Sequence, residues 1–542
     1  MNTMDGNNKL IQQFLADGIR YMFGNPGTVE QGFLGVLDAY PDFQYISCLH
    51  ESVAVAIADG YARKSEKPSV VQLHSGVGLG NAIGLIYQAM RGHSPLVIIA
   101  GEAGIKYDSM DSQMACNLVE MAKPVVKWAG RVMHKDSLLR MVRRAVKIAM
   151  TPPRGPVYLT LPADILDEEN NEDVIPSAIL HTNCVANFDQ IAEATGLLVG
   201  AVNPIFIIGD GIGESHAQNE LEALVDTVGA KVYGANHSQF NFNAANPLFQ
   251  GKLGHMFGEN SKPKIEDADV VFVAGTYLLP EVFPYLGNLF KKGTKVIHVD
   301  LNAYEIAKNH PVDLGILADP KNTIARIVEQ LLSVQTPQQK RAAAERKESL
   351  ANIPKPSLDA NNIAGVFIEC LSKKIGDNCI IFDEALTSSP YLEKHFPMRK
   401  VGSYFQTRGG SLGVGIPGAM GIKLASPEST VVAFTGDGGS MYTIQALNTA
   451  ARYDIDVKVV ILNNGSYELL KRNIDVYRQG HGIAKETYPD CFYLKPVIDF
   501  IALSRSMGIL DGVRIEKKDD VAEGVDRMLL SKGTFVVDLV IS

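Results

Sequence analysis

Asp437 and Asn464 carry the oxygen atoms most suited to chemistry in this 542-residue chain, within the segment GDGGSMYTIQALNTAARYDIDVKVVILNN from Gly436 to Asn464. A carboxylate, a carboxamide oxygen and a turn carbonyl near Ser466 are hard donors. Such donors suit a divalent cation such as Mg²⁺, which shares its coordination readily with phosphate. The glycines around Asp437, among them Gly438 and Gly439, let backbone amides approach a diphosphate closely, and a helix expected to begin near Ser440 turns its positive end toward it. The local chemistry is therefore that of a metal-bound diphosphate.

The position of these residues follows from the runs before them. VVAFTG and VKVVIL are short, β-branched and almost continuously apolar, as buried parallel strands are. SMYTIQALNTAARY, between them, has apolar residues at helical spacing, which makes a strand, helix, strand crossover. In such sheets ligands bind beyond the carboxyl ends of the strands, where both Gly436-Asp437-Gly438 and Asn463-Asn464-Gly465 fall. A GDG triplet alone is more often a plain turn, and the one at Gly209 to Gly211 is read that way.

Paired with the asparagines after a crossover of this length, the C-terminal copy resembles the thiamine diphosphate motif. Other segments carry the resemblance through the chain in order: GNPGT at Gly24, HESVAVAIADGYA at His50, LHSGVGLGNAIG at Leu73, GHSPLVIIAG at Gly92, PVVKW at Pro124, GPVYLTLPADI at Gly155 and GGSLGVGIPGAMG at Gly409. The chain resembles the benzoylformate decarboxylase and acetolactate synthase branch of the thiamine diphosphate enzymes, benzoylformate decarboxylase above all. The resemblance implies thiamine diphosphate and Mg²⁺ as cofactors. It implies decarboxylation of a small 2-oxo acid through an enamine, with acyloin-forming ligation to an aldehyde acceptor. It also implies a homodimer or homotetramer in which Glu51 and Asp437 face each other across a subunit interface. An acetolactate synthase-like or benzaldehyde lyase-like carboligase is the alternative; the intact Glu51, Asp437 and Asn464 speak against an inactive cofactor-binding subunit.

Glu51 opens the helical run SVAVAIADGYA after the strand QYISCLH, where a first-turn acid would be stabilised by the helix dipole alone. In the resembling family this glutamate contacts the aminopyrimidine of the cofactor, and a carboxyl of raised pKa in an apolar cleft is expected to shuttle its proton. Leu412 matches the aliphatic wedge beneath the cofactor. Thr387, Gly410, Gly438, Gly439, Ser440 and Tyr442 match its other contacts, and Asp437, Asn464 and Ser466 the metal ligands. Thr28 falls where benzoylformate decarboxylase has a serine that holds the substrate carboxylate; from the residues alone it is equally a turn-capping hydroxyl. His74 matches a proton-transferring histidine, a task for which imidazole is suited. His93 matches a structural one. The departure is at GTYLLPEVFPY from Gly275, where Glu281-Val282 stands in place of a second catalytic histidine. Leu469, Leu470 and Asn473 replace residues that shape an aryl pocket, and Gln113 falls near a glutamine of carboligating relatives.

Composition sets independent bounds. With 46% hydrophobic and 20% charged residues the chain is an ordinary globular protein, of three or four domains at roughly 150 residues each. A net charge of -9 argues against nucleic-acid binding. The absence of a long apolar run or a signal-peptide layout argues against membrane insertion and makes the cytoplasm the default compartment. Six scattered cysteines form no CxxC pair and are read as buried thiols. Strand signals alternating with helical ones predict an α/β fold of three doubly wound domains with mainly parallel sheets, over 1-180, 185-335 (a central Rossmann-like domain) and 358-542; the resemblance implies that the first is the pyrimidine-binding domain and the last the diphosphate- and Mg²⁺-binding domain. The acidic DEENNEDVIPS, expected not to pack, and TPQQKRAAAERKESLANIPKPS, an exposed and partly helical connection, divide them. The central block has no GxGxxG after its first strand, so its GDGIG is read as structural, with FAD or another dinucleotide left open but not signalled.

Overall fold

The computed structural model describes residues 4-235, 237-351 and 358-541. Its framework is three six-stranded sheets. The N-terminal sheet runs in the order Gln44–Ser47, Tyr21–Gly24, Ser69–His74, Leu96–Glu102, Val157–Pro162, Ala129–Arg131, every pair parallel. The central sheet runs Phe249–Lys252, Lys231–Gly234, Pro204–Ile208, Val270–Ala274, Lys295–Asp300, Leu314–Leu317, again all parallel. The C-terminal sheet holds the parallel strands Cys379–Glu384, Thr430–Gly436, Val457–Asn463, Phe535–Val540 and Gly512–Ile515, with an edge strand that ends at Gln406. The α/β reading with three mainly parallel sheets is what the structure shows.

Four of these strands have no clear signal in the sequence: Ala129–Arg131, Phe249–Lys252, Leu314–Leu317 and Gly512–Ile515. All four are sheet edges and only partly buried, so they lack the continuous apolar run that marks a strand covered on both faces. Val457–Asn463, by contrast, is buried at every residue.

The chain divides into two compact units, one made of residues 1-180, 359-395 and 406-542, the other of 181-358 and 396-405. Within the first, the helix Glu51–Ser65 crosses the helix Gly415–Ala425. A Cβ at Gly60 would lie 2.0 Å from the Gly418 carbonyl oxygen, and one at Gly421 2.0 Å from that of Ile57, so both crossing points require glycine. The second unit has its own core, in which Phe206 and Phe272 meet at 4.9 Å between ring centroids.

Two expectations are corrected and one is met. DEENNEDVIPS packs: Glu169–Asn170 pairs antiparallel with Met4–Asp5, Asn170 is buried, and the Glu172 carboxylate accepts the Leu139 and Arg140 N–H groups at 2.7 and 3.0 Å, capping the helix Leu138–Met150. Those unsatisfied amides make an acidic tail worth burying. The second divider is partly helical and mostly exposed, as expected: its helix runs over Pro337–Ala351, with only Ala343 and Leu350 buried, and its residues 352-357 lie outside the described residues. Of the six cysteines, all free, only Cys48 is fully buried, while Cys116, Cys184 and Cys491 are exposed. No helix among the described residues is long and apolar enough to cross a membrane.

Candidate functional site

The strands Thr430–Gly436 and Val457–Asn463 are parallel neighbours, so Asp437 and Asn464 leave the same end of the sheet side by side. The buried Asp437 carboxylate accepts the Asn464 and Gly465 N–H groups at 3.1 and 2.6 Å through Oδ2, and the Gly438 N–H at 2.8 Å through Oδ1. Asn464 Oδ1 accepts from the Ser466 N–H at 2.9 Å and its hydroxyl at 3.2 Å. Burial pushes the Asp437 carboxyl up, against backbone donors that pull it down, and a cation bound there would favour the ionised form. Tyr467 lies so close over Gly438 that a Cβ there would meet its ring at 2.5 Å.

The helix expected from Ser440 is not formed. One helical turn, Asp437–Ser440, is followed by an irregular passage and the helix Ala446–Arg452. The passage is drawn away by Thr443, whose hydroxyl donates to the Gly413 carbonyl at 2.6 Å. Tyr442 consequently packs against Gly413, beside the half-buried Leu412, and is itself exposed over much of its surface. This brings the sequence-expected Leu412 and Tyr442 together next to Gly438, Gly439 and Ser440 in chain order.

The sequence reading missed the group that organises this region. Glu384, buried at the end of Cys379–Glu384, accepts the N–H groups of Gly413, Val414 and Gly415 at 2.7, 3.2 and 2.9 Å and the Thr435 hydroxyl at 2.9 Å. Burial pushes its carboxyl up and these four donors oppose that. One carboxylate thus ties the Leu412 turn to the strand that leads to Asp437. Ser411 is also held, its N–H reaching Gln88 Oε1 at 3.3 Å. Thr387 sits three residues after Glu384 in a short 3₁₀ turn, half-buried, and Gly410 is exposed. Two consecutive acids in CIIFDEA were the available signal, since a buried strand carries charge only where it is paired.

Glu51 is the first residue of its helix, as expected, but it is not the cap. His50 Nδ1 accepts the Ser52 N–H at 3.2 Å in that role. The Glu51 carboxylate, buried, is left to accept from Asn25 Nδ2 at 3.2 Å and Asn81 Nδ2 at 3.0 Å. The expected apolar cleft is therefore corrected: two carboxamides line the acid on either side. Asn25 belongs to GNPGT and Asn81 to LHSGVGLGNAIG, so both lay inside motifs singled out for other residues.

His74 ends the strand next to the one that leads to Asn25, and its Nδ1 lies 3.0 Å from Oε2 of the buried Glu30. Burial pushes the Glu30 carboxyl up, while His74 and the Gly101 N–H, donating to Oε1 at 3.0 Å, pull it down. Thr28 is exposed nearby in the chain, and with Glu30 it lines a cavity of about 170 Å³. His93 is half-buried at a backbone φ of 55°.

The remaining candidates are less gathered. Gln113 and Leu470 are exposed; Leu469 and Asn473 are half-buried on the helix Glu468–Gly480, which has no fully buried residue. In the central unit Glu281 is buried and its carboxyl pushed up by that burial, while Val282 is exposed. Asp210 of GDGIG accepts from the Ser238 N–H, the Ser238 hydroxyl and Asn241 Nδ2 at 2.9, 2.6 and 2.8 Å, which supports the structural reading of that turn.

The chain matches three models of one family: thiamine pyrophosphate enzyme, N-terminal TPP binding domain over residues 4-121, central domain over 191-327 and C-terminal TPP binding domain over 387-539. It belongs to the thiamine pyrophosphate enzymes. An acetolactate synthase large subunit from Buchnera aphidicola is 26% identical over 96% of this chain and 92% of its own. Benzoylformate decarboxylase from Pseudomonas aeruginosa is 29% identical over 91% of this chain and 90% of its own. Among solved structures, the thiamine diphosphate-dependent 4-hydroxybenzoylformate decarboxylase of Rhodococcus jostii RHA1 superimposes with a TM-score of 0.87 at 25% identity, covering 99% of both chains. These domains are of the kind that bind thiamine diphosphate, and the residues around Asp437 suit its metal-bound diphosphate: a buried carboxylate, a carboxamide oxygen and a glycine turn. No three His, Cys, Asp or Glu side chains gather into a group that could hold a metal ion among the described residues.

Proposed function

We propose that this thiamine pyrophosphate enzyme decarboxylates a small 2-oxo acid and also joins the resulting acyl unit to an aldehyde acceptor. The observation that carries the reading is His74, an imidazole one-fifth exposed at a strand end and backed by a buried carboxylate, in the same sheet that positions Asn25 and Thr28. When bound, thiamine diphosphate supplies the carbon nucleophile and the electron sink that decarboxylation needs. Asp437, Asn464 and the turn at Ser466 would hold its Mg²⁺. Leu412 would support the cofactor from below, with Thr387, Gly410, Gly438, Gly439, Ser440 and Tyr442 around it. Glu51 would exchange a proton with the aminopyrimidine, its carboxylate aimed by Asn25 and Asn81. Thr28 would hold the substrate carboxylate through its hydroxyl. His74 would deliver the proton that completes the aldehyde.

Exposed apolar side chains flank both half-sites, Leu49 and Val77 near Glu51 and His74, Met441 and Tyr442 near Asp437. Apolar rims of this kind favour a second copy of the chain as cover, and we infer a homodimer or homotetramer. A solution mass equal to one 58.8 kDa chain in a fully active preparation would contradict it.

A second reading has its own support. The resemblance puts Glu281-Val282 where a second histidine would stand, and the chain is 26% identical to an acetolactate synthase large subunit beside 29% to a benzoylformate decarboxylase. Incubation with a panel of 2-oxo acids, with and without an acceptor aldehyde, separates the two. Carbon dioxide with free aldehyde supports the decarboxylase; acyloin without free aldehyde supports a dedicated carboligase and displaces the first reading.

A further inference from the structure

We propose that Glu30 is a positioning residue that holds His74 with Nδ1 turned inward and Nε2 presented to the site, so that the proton His74 transfers leaves from Nε2. The inference rests on the proposed role of His74 as proton donor to the product.

Glu30 sits where a helix cap would be, just before Gln31–Gly35, yet its carboxylate makes no cap hydrogen bond. It turns instead into the domain, where its side chain has no exposure at all. Oε2 meets His74 Nδ1 at 3.0 Å and Oε1 accepts the Gly101 N–H at 3.0 Å. Two glycines clear the space: a Cβ at Gly27 would lie 2.0 Å from His74 Nδ1, and one at Gly101 2.5 Å from Glu30 Oε1. Burying a carboxylate against an imidazole is a poor way to stabilise a fold, because desolvation offsets the attraction. It is a good way to set which ring nitrogen carries the proton.

In the neutral ring Nδ1–H donates to Glu30 and Nε2 has a free lone pair. In the protonated ring both nitrogens carry hydrogen, and Nε2–H is the one available to substrate. On transfer the Nε2–H bond breaks, its electron pair stays on nitrogen, and a C–H bond forms with the electron pair of the carbon that lost carbon dioxide. The ring returns to the Nδ1–H tautomer, and water restores the proton.

Glu30→Gln gives the decisive contrast. The Gly101 N–H still needs an acceptor, so the amide oxygen stays there and the NH₂ faces Nδ1, which must now accept. The neutral proton is driven to Nε2. In ¹⁵N-histidine-labelled protein without substrate, with His74 assigned by difference from His74→Ala, we expect wild-type Nδ1 to be pyrrole-like and Nε2 pyridine-like, and the pattern to reverse in Glu30→Gln. The same variant should lose kcat by about 10²–10⁴-fold with little change in KM. An unchanged tautomer in the variant overturns the proposal. So does a wild-type ring whose neutral form carries its proton on Nε2, a result that does not depend on Glu30→Gln folding. Because the tautomer is read without turnover, failure to find a 2-oxo acid substrate would count against the proposed function and leave the Glu30 reading to stand or fall separately.

Discussion

The carboxylate of Glu384 accepts the Gly413 N–H at 2.7 Å, one residue beyond Leu412, while its other oxygen takes the Thr435 hydroxyl, two residues before Asp437. The turn that carries Leu412 and the strand that leads to Asp437 are therefore tied together by a single buried side chain. Glu384→Ala would leave three amides and a hydroxyl without an acceptor, at a cost of roughly 1–3 kcal/mol for each buried group that water cannot reach. We expect a clear fall in thermal stability, and in Glu384→Gln a smaller fall accompanied by weaker thiamine diphosphate binding, read by calorimetry. Native cofactor affinity in a folded Glu384→Gln protein would show that the turn is held by other contacts.

Much of this was legible beforehand because the strongest signals are physical necessities. Fully buried strands are mostly apolar, and the residues at the ends of Thr430–Gly436 and Val457–Asn463 then carry most of whatever chemistry the sheet supports. What was not legible is long-range pairing of polar groups. Nothing near Glu384 in sequence says that it will meet Gly413, 29 residues on, and nothing near Glu30 says that it will meet His74, 44 residues on. The edge strands escaped for a related reason, since half-covered strands need no apolar run. The helix expected at Ser440 failed because Thr443 found a partner outside its own segment.

Asp437→Ala removes the only carboxylate of the proposed metal set. Mg²⁺-dependent retention of thiamine diphosphate should be abolished, because the cation that neutralises the diphosphate loses its anionic ligand. Equilibrium dialysis with and without Mg²⁺ measures this directly. Unchanged retention would remove Asp437 from the site.

The central unit should be sensitive to acid. Burial holds His237 down to about 3 and His298 down to about 4 in the folded protein, while an unfolded histidine titrates near about 6.5. Between those values the unfolded chain binds protons that the folded one does not, so stability is present above pH ~6.5 and declines as pH falls toward ~4, by about 1.4 kcal/mol per pH unit for each histidine. Denaturant midpoints across this range should fall with decreasing pH, and replacing both histidines by Gln should flatten the slope. A slope unaffected by the double substitution would assign the effect to other groups.

His74→Ala tests the division of labour at the substrate end. Loss of carbon dioxide needs no proton donor, whereas release of aldehyde does. The variant should slow aldehyde release more than carbon dioxide release, and with excess acceptor aldehyde it should shift the product ratio toward acyloin. An unaltered ratio would take His74 out of the protonation step.

The central claim is that Glu51, aimed by Asn25 and Asn81, activates bound thiamine diphosphate. Its most direct test is hydrogen–deuterium exchange at the thiazolium carbon of the cofactor on the protein, wild type against Glu51→Gln. The amide keeps the shape of the side chain and can still hydrogen-bond, but it cannot relay a proton. We expect the variant to fold and bind cofactor, with the exchange rate reduced by at least about 10²-fold. Wild-type exchange in cofactor-loaded Glu51→Gln would contradict the account and leave Glu51 a buried helix-terminal acid held by two asparagines.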